Sequence, residues 1–585
     1  MRLSFARRAE AVTLTSARRT RCTTARPTHA RRSHATLEAA VATEPPPDAT
    51  APGSEPGTTR TDVEAALLGH ATYRSLGEQK LSPQEERFER GRRTTGFWLA
   101  PLVSAVFLLL PLDMGAAQHT LAGILLGVIV LWVTEPVPIP VGGLIGVGAI
   151  VLFGVVPAAD ALAPFGSSTI FTFIGAFILA QAMLKHGLAR RFAFRILSLP
   201  GVGSSTFRLI AAFGLITCLL SAFVSNTATV AMLLPTALGL LTVIAKMLQD
   251  RGLVAEDFDP TRLRVGAALV LMLAYGASVG GLLTPVGSPP NLIGRDLMEK
   301  ATGEKISFAQ WMATALPLCA VMFIILMTVL LLLNKPEIRR IEGIEAYVAE
   351  RRAELGSLSR AEKNTLIAFG TTVTLWIFPG VVALIAGTDS SVYETVSGRL
   401  NEGVVAVLGA SLLFVLPTHW GRRETTLNWS DAARIDWGTI LLFGCGIIFG
   451  ALLESTGLAK TIGDSASDAL GLSSLFAITA FAVVLAILVS ETTSNTASAA
   501  VVVPIVIPIA VAAGADPFTP ALAATFAASF GFMLPVSTPQ NAIAYGSGVV
   551  PITTMIRSGA GFDALGAILL ILALPLMVTV TGIGG

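Results

Sequence analysis

Two tripeptides hold the residues best placed to do chemistry: Ser225-Asn226-Thr227, which opens the phrase SNTATVAMLLP, and Ser494-Asn495-Thr496, which opens SNTASAAVVVP. Each lies near the centre of an apolar run about 40 residues long, 207–245 and 472–513, where asparagine and threonine gain nothing by packing. Asn amides and Thr hydroxyls donate hydrogen bonds to carboxylate oxygens, while Ser/Thr hydroxyl and Asn carbonyl oxygens accept. With the free carbonyls of unwound backbone, those oxygens suit a hard ion such as Na+. A single polar triplet in an apolar segment reads as interhelical glue. Two copies read as a binding site, because each is followed by a segment broken at TPVGSPPN (Thr284–Asn291) or STPQN (Ser537–Asn541), where proline and glycine interrupt a helix. No lysine or arginine sits at either triplet or either break. Positive potential for an anion must then come from helix N-termini and from co-bound cations, so the residues point to a cation-coupled anion carrier.

The elements that position these residues follow from composition. Of 585 residues, 53% are hydrophobic and 14% charged, with a mean hydropathy of +0.69, too apolar for a soluble globule of this size. The net charge of +2 is spread over loops, which leaves no nucleic-acid footprint. Apolar runs near 97–115, 118–134, 139–157, 168–184, 207–245, 265–294, 311–334, 364–387, 401–417, 438–457, 472–513, 517–550 and 562–582 are long enough to enter or cross a hydrocarbon core. The expectation is an all-α polytopic membrane protein.

Suppose the Arg-rich start is cytoplasmic and the two longest runs return to the side they came from. Then the segment KHGLARRFAFR (Lys185–Arg195), the 246–264 loop, the basic residues of 335–363, and Arg422, Arg423 and Arg434 all fall inside, as the positive-inside rule requires. About 11 crossings and an external C-terminus result. By length alone, each long run could also be two full crossings. The re-entrant form is preferred because polar backbone at membrane depth needs protein or a water-filled cavity around it. On this path the first hairpin enters from the cytoplasm and the second from outside. Pro289, Asn291 and Ile293 further match Pro539, Asn541 and Ile543. An inverted repeat with two discontinuous helices points to a secondary transporter with a midplane site. The expected parts are an unfolded tail over 1–96, a first repeat over 97–334, an amphipathic cytoplasmic linker over 335–363 and a second repeat over 364–585.

At these residues the chain resembles the divalent anion/sodium symporter family, which includes the INDY-type citrate and dicarboxylate carriers; the resemblance covers about 97–582. It implies a homodimer with a scaffold part and an elevator-type moving part in each protomer. It implies one sodium site at Ser221, Ser225, Asn226, Thr284 and Gly287, and a second at Ser490, Thr493, Asn495, Ser537 and Pro539. The pairs Asn226-Thr227 and Asn495-Thr496, with Thr538 and Pro539, are expected to hold the substrate carboxylates. Three positions depart from the family pattern: Ser490 stands for threonine, Thr493 for a small residue, and Gln540 for a second proline.

The function expected is Na+-coupled transport of a di- or tricarboxylate such as succinate, malate, fumarate or citrate, with no enzymatic step. Sulfate symport or sodium-independent dicarboxylate exchange are alternatives in the same fold. An intramembrane hydrolase is a remote one, because no histidine or aspartate pair accompanies the serines. Glu491, beside the second triplet, either tunes a cation or proton site or pairs with backbone at the hairpin tip; Glu135 and Glu454 read as helix-end residues. The cysteines and histidines show no metal-ligand spacing. Residues 1–37 carry nine arginines and one acidic residue, Glu10, and read as a dispensable cytoplasmic extension, an early start or a transit peptide. A bacterial-type plasma membrane is the expected location, with an organelle membrane as the alternative.

Overall fold

The computed structural model describes residues 83–583 apart from 256–257, 342 and 471–473. These residues are helical almost throughout; two short strands, Pro417–His419 and Glu424–Thr425, pair antiparallel. Among the described residues, ten helices are long and apolar enough to cross a membrane. Helix α1 (Pro83–Leu109) starts inside the segment expected to be unfolded. Residues 83–96 are therefore helical, a correction with a local cause: proline at the first helical position, then Gln, Glu and Arg, which are good helix formers. The rest of that tail, residues 1–82, lies outside the described residues. Next come α2 (Ala116–Thr134) and α3 (Ile139–Leu152). Glu135 ends α2 in a left-handed conformation and pairs with Arg92 at 3.4 Å, the helix-end role expected of it.

After α4 (Ser168–Lys185) and α5 (Leu188–Leu197), the first long run folds into two helices, α6 (Thr206–Ser221) and α7 (Asn226–Asp250). This pair is followed by α8 (Arg264–Gly281) and, past the break, α9 (Pro289–Thr302). Every residue of α8 from Val265 to Gly281 is buried, as befits a helix apolar all round. The Thr284 hydroxyl donates to the carbonyl of Ala222 at the hairpin tip, so the tip ends where α8 ends. The chain then continues for the 14 residues of α9, about 21 Å further. The tip of the hairpin and the break after α8 thus lie together, the arrangement that the re-entrant form needs.

Helix α10 (Phe308–Leu333) leads to the linker, which contains α11 (Ile344–Glu354), and then to α12 (Arg360–Ala386) and α13 (Glu402–Val415). One end of the bundle collects the segments whose basic residues were expected to share a side. Thr206 N–H donates to Arg339 O (3.2 Å), and Arg264 N–H to Glu337 (2.6 Å). Lys185 pairs with Asp431 (2.6 Å) and Arg191 with Glu362 (2.7 Å). Helix α14 (Trp437–Ser455) leaves this end and leads to α15 (Leu458–Leu470). The second long run folds as α16 (Leu475–Thr492) and α17 (Asn495–Ala512), and its base packs on α15, where Gly463 meets Pro508. Next come α18 (Phe518–Ala527), buried at all ten positions, a break, α19 (Pro539–Gly546) and α20 (Ile552–Thr581).

Helices α4 and α13 approach through small residues: a Cβ on Gly175 would lie 2.4 Å from the carbonyl carbon of Ala406. Close backbone packing of this kind is how helices associate in lipid. Gly175→Val should therefore force the pair apart and lower the thermal unfolding temperature in detergent, by an overpacking cost of about 1–3 kcal/mol. Gly148→Ala, where an added Cβ meets nothing within 4 Å, should leave that temperature unchanged or raised.

Candidate functional site

Helices α7, α9, α17 and α19 all begin at the wall of one cavity of about 520 Å³, to which their N-cap residues Ser225, Ser288, Ser494 and Thr538 contribute. Both triplets and both breaks therefore face a single chamber. Asn226, Thr227, Gly287, Asn495, Thr496, Ser537 and Pro539 line it as well. Sequence order explains the geometry locally: each triplet serine caps the helix it precedes, Ser225 Oγ accepting from Ala228 N–H (3.3 Å) and Ser494 Oγ from Ala497 N–H (3.2 Å). Thr538 does the same for Asn541 N–H (3.3 Å). The N-termini of these four helices make the chamber electropositive, with no lysine or arginine at either triplet or either break.

Behind the chamber wall the two halves repeat one hydrogen-bond pattern. Ser221 Oγ donates to Asn226 Oδ1 (2.5 Å), and Ser490 Oγ to Asn495 Oδ1 (2.8 Å). Asn291 donates to the carbonyls of Gly281 and Thr284 (2.8 Å each), ten and seven residues back. Asn541 donates to those of Gly531 (2.7 Å) and Leu534 (3.1 Å), also ten and seven back.

The expected sodium ligands can be compared with this geometry. A Cβ on Gly287 would sit 2.6 Å from Gly281 O, 2.8 Å from Ala222 O and 3.1 Å from Ser221 O, so three carbonyls converge on a space that only glycine leaves open. In the second half, a Cβ on Gly531 would meet Asn495 Oδ1 and Ser490 Oγ, each at 3.2 Å. Four buried oxygens nearby, Thr229 Oγ1, Asn291 Oδ1, Ser529 Oγ and Asn541 Oδ1, have no hydrogen-bond partner. Uncharged oxygens converging in this way fit a hard monovalent cation. Ser221, Thr284, Ser490 and Thr493 are buried behind the wall rather than lining the cavity. The Thr493 hydroxyl donates to Val489 O (2.7 Å) on its own helix.

Some contributors were not visible in the sequence. Arg434 and Asp436 also line the cavity, arriving from the loop before α14. The expectation that no formal positive side chain meets the site holds for the triplets and breaks but fails for the chamber. Arg434 had been assigned only to the basic face of the loops, and its place was set by tertiary folding. Below it, burial pushes the Asp431 carboxyl up, but the Lys185 hydrogen bond, the Asn428 backbone N–H and the charges of Lys185 and Arg434 outweigh this and leave it below the ordinary aspartate value. Glu491 takes the backbone-pairing role: Met533 N–H donates to one oxygen (2.7 Å) and Ser537 Oγ to the other (2.8 Å). Gln540, where a proline was expected, donates to Ser278 Oγ on α8 (3.0 Å), with both residues buried.

An interior polar chamber inside a bundle of apolar spans defines an integral membrane protein built as a transporter. The chain belongs to the sodium:sulfate symporter transmembrane family, whose sequence profile matches residues 93–581. It is 30% identical over 491 residues to the sodium-dependent dicarboxylate transporter SdcS of Staphylococcus saprophyticus, covering 83% of this chain and 91% of that one. It is also 30% identical over 495 residues to SdcS of Staphylococcus aureus, covering 84% and 92%. The solved YdaH transporter of Alcanivorax borkumensis aligns over 83% of this chain and 98% of its own, with a TM-score of 0.47 and 15% identity.

Two substitutions probe this geometry. Gly287→Ala fills the carbonyl cradle and should abolish the rise in melting temperature that NaCl, compared with choline chloride, gives the purified protein. Gln540→Ala leaves Ser278 Oγ buried and unpaired and should destabilise the protein by about 1–3 kcal/mol in thermal or denaturant unfolding.

Proposed function

We propose that the protein is a secondary active transporter coupling Na+ to the movement of small di- and tricarboxylates of the succinate, malate, fumarate and citrate class. The observation that carries this is the single chamber into which both triplets and four helix N-termini open. Asn226, Thr227, Asn495, Thr496 and Thr538 donate to the carboxylate oxygens, with Pro539 shaping the wall. Ser221, Ser225, Asn226, Thr284 and Gly287 supply one Na+ site, and Ser490, Thr493, Asn495, Ser537 and Pro539 the other. Two Na+ neutralise a dianion, and each bound cation raises the potential that attracts it. The task is binding and release, with no bond made or broken. The names of the staphylococcal relatives support carboxylates as cargo. The family's name keeps sulfate as the second reading, since neutral donors serve either dianion.

The two halves act as inverted repeats: the first hairpin is based on the linker end and the second beyond the far end of α14. The linker end faces the cytoplasm of a bacterial-type plasma membrane, and a homodimer carries the two transport units by elevator-type movement. Na+-driven uptake of radiolabelled succinate, citrate and sulfate into proteoliposomes tests this reading. Asn226→Ala and Asn495→Ala should each reduce succinate uptake about tenfold or more, given the worth of a hydrogen bond to a charged group. Undiminished uptake in both variants would remove these asparagines from the site. Exchange that ignores Na+ would make the protein an exchanger, and uptake of sulfate alone would reverse the choice of cargo.

A further inference from the structure

The chamber wall carries two charged side chains from outside the repeats, Arg434 and Asp436, and they are not equivalent. Asp436 is engaged as the cap of α14, accepting from Thr439 N–H (3.0 Å) and Thr439 Oγ (2.6 Å). Arg434 is exposed, and among the described residues its guanidinium has no hydrogen bond or salt bridge. The carboxylate whose field it shares, Asp431, is already held by Lys185 at 2.6 Å. Of the two charged groups on the wall, the guanidinium is thus the one that no hydrogen bond holds in place, while the Asp436 carboxylate keeps its charge but is fixed to Thr439. Arg434 stands at the end of the chamber marked by Leu184, beside Lys185, where the ion-paired loops gather. The helix N-termini attract an anion through partial charges whose effect falls off within the first turn, whereas a guanidinium at the rim acts over a Debye length of about 8 Å at physiological salt.

We infer that Arg434 is the anion-recruiting and charge-discriminating residue of this chamber, drawing divalent anions to the triplets and favouring them over monovalent ones. This rests on the reading that the chamber holds a divalent anion. Coulomb attraction scales with ligand charge, so Arg434 contributes about twice as much, in the logarithm of affinity, to a dianion as to a monoanion of similar shape. A planar, permanently charged fork suits a carboxylate, and the residue acts before the triplets close on the anion, as a positioning group at the rim.

The test is equilibrium binding of radiolabelled succinate and of monomethyl succinate to the purified full chain. NaCl is held constant while choline chloride sets the ionic strength, and wild type is compared with Arg434→Gln and Arg434→Lys. Arg434→Gln should weaken succinate binding roughly three- to tenfold at low ionic strength. The loss for monomethyl succinate should be about the square root of that factor, the gap from wild type should shrink as choline chloride is added, and Arg434→Lys should recover most of the affinity. Succinate affinity within twofold of wild type in Arg434→Gln overturns the inference. So does a loss independent of salt, or an Arg434→Lys as weak as Arg434→Gln, since either would mark a structural role. If wild type binds no dicarboxylate in Na+, the proposed function fails and this inference with it. If wild type binds and Arg434→Gln binds equally well, only this inference fails.

Discussion

A helix that begins inside a membrane leaves its first N–H groups without backbone acceptors, and in hydrocarbon each such group costs several kcal/mol. Four helices of this protein begin there, and the rest of the structure depends on bringing their starts to one chamber. The caps satisfy only part of the need: Ser225, Ser494 and Thr538 each accept one N–H, and Ser288 accepts none. Prolines shorten the list further: α9 opens on Pro289 and Pro290 and α19 on Pro539, which have no N–H; the donors left over lie at the chamber wall. A helix terminus carries about half an elementary charge, so four of them present roughly two positive charges, diminished by whatever water screens them. An interior that would be costly if sealed in lipid becomes complementary to a dianion when opened to solvent.

Interrupting α8 and α18 also frees carbonyls, and one side chain in each break deals with them. Asn291 and Asn541 each bind two carbonyls at the same sequence offsets, which fixes the shape of the unwound turn and aims the other carbonyls inward. The ties between tip and break differ between the halves. In the first, the break donates to the tip, Thr284 hydroxyl to Ala222 carbonyl. In the second, the tip supplies a carboxylate, Glu491, that accepts from Met533 N–H and Ser537 Oγ. The first cluster of oxygens is therefore built largely from backbone around Gly287, and the second from side chains beside a carboxyl group.

The residues that line the chamber were legible in the sequence because a membrane makes polar residues conspicuous: Ser-Asn-Thr and Pro-x-Asn stand out against apolar runs and recur in step. Hairpin against full crossing was not legible, since a 40-residue run satisfies both. What the structure adds is that Ala222 meets Thr284, which puts the tip beside the break after α8. Arg434 could be read only as one of several loop cations, because nothing local to it marks a chamber that forms from segments about 200 residues upstream and 60 to 100 downstream. The unfolded tail was drawn too long because charge and lack of apolar periodicity hid a helix that continues into the first apolar run. Gln540 looked like a lost proline, yet its amide reaches Ser278 in the other half, a partner that no local pattern could announce.

That contact bears on how the site could move. Gln540 of the second break hydrogen-bonds Ser278 on α8, and Tyr275, also on α8, donates to Phe532 O and Met555 O in the second half (2.7 and 3.1 Å). Its ring packs against Phe532 and Phe562, and α8 and α18 are buried along their whole lengths. Separating the two tips would break buried polar bonds and expose this core. Moving both together would keep them and would require sliding only along outer surfaces, where small-residue contacts such as Gly175 with Ala406 show how closely helices already pack. The chamber's two walls are therefore tied to each other by buried hydrogen bonds and aromatic packing, a mechanical condition for carrying a bound anion and its cations as one body.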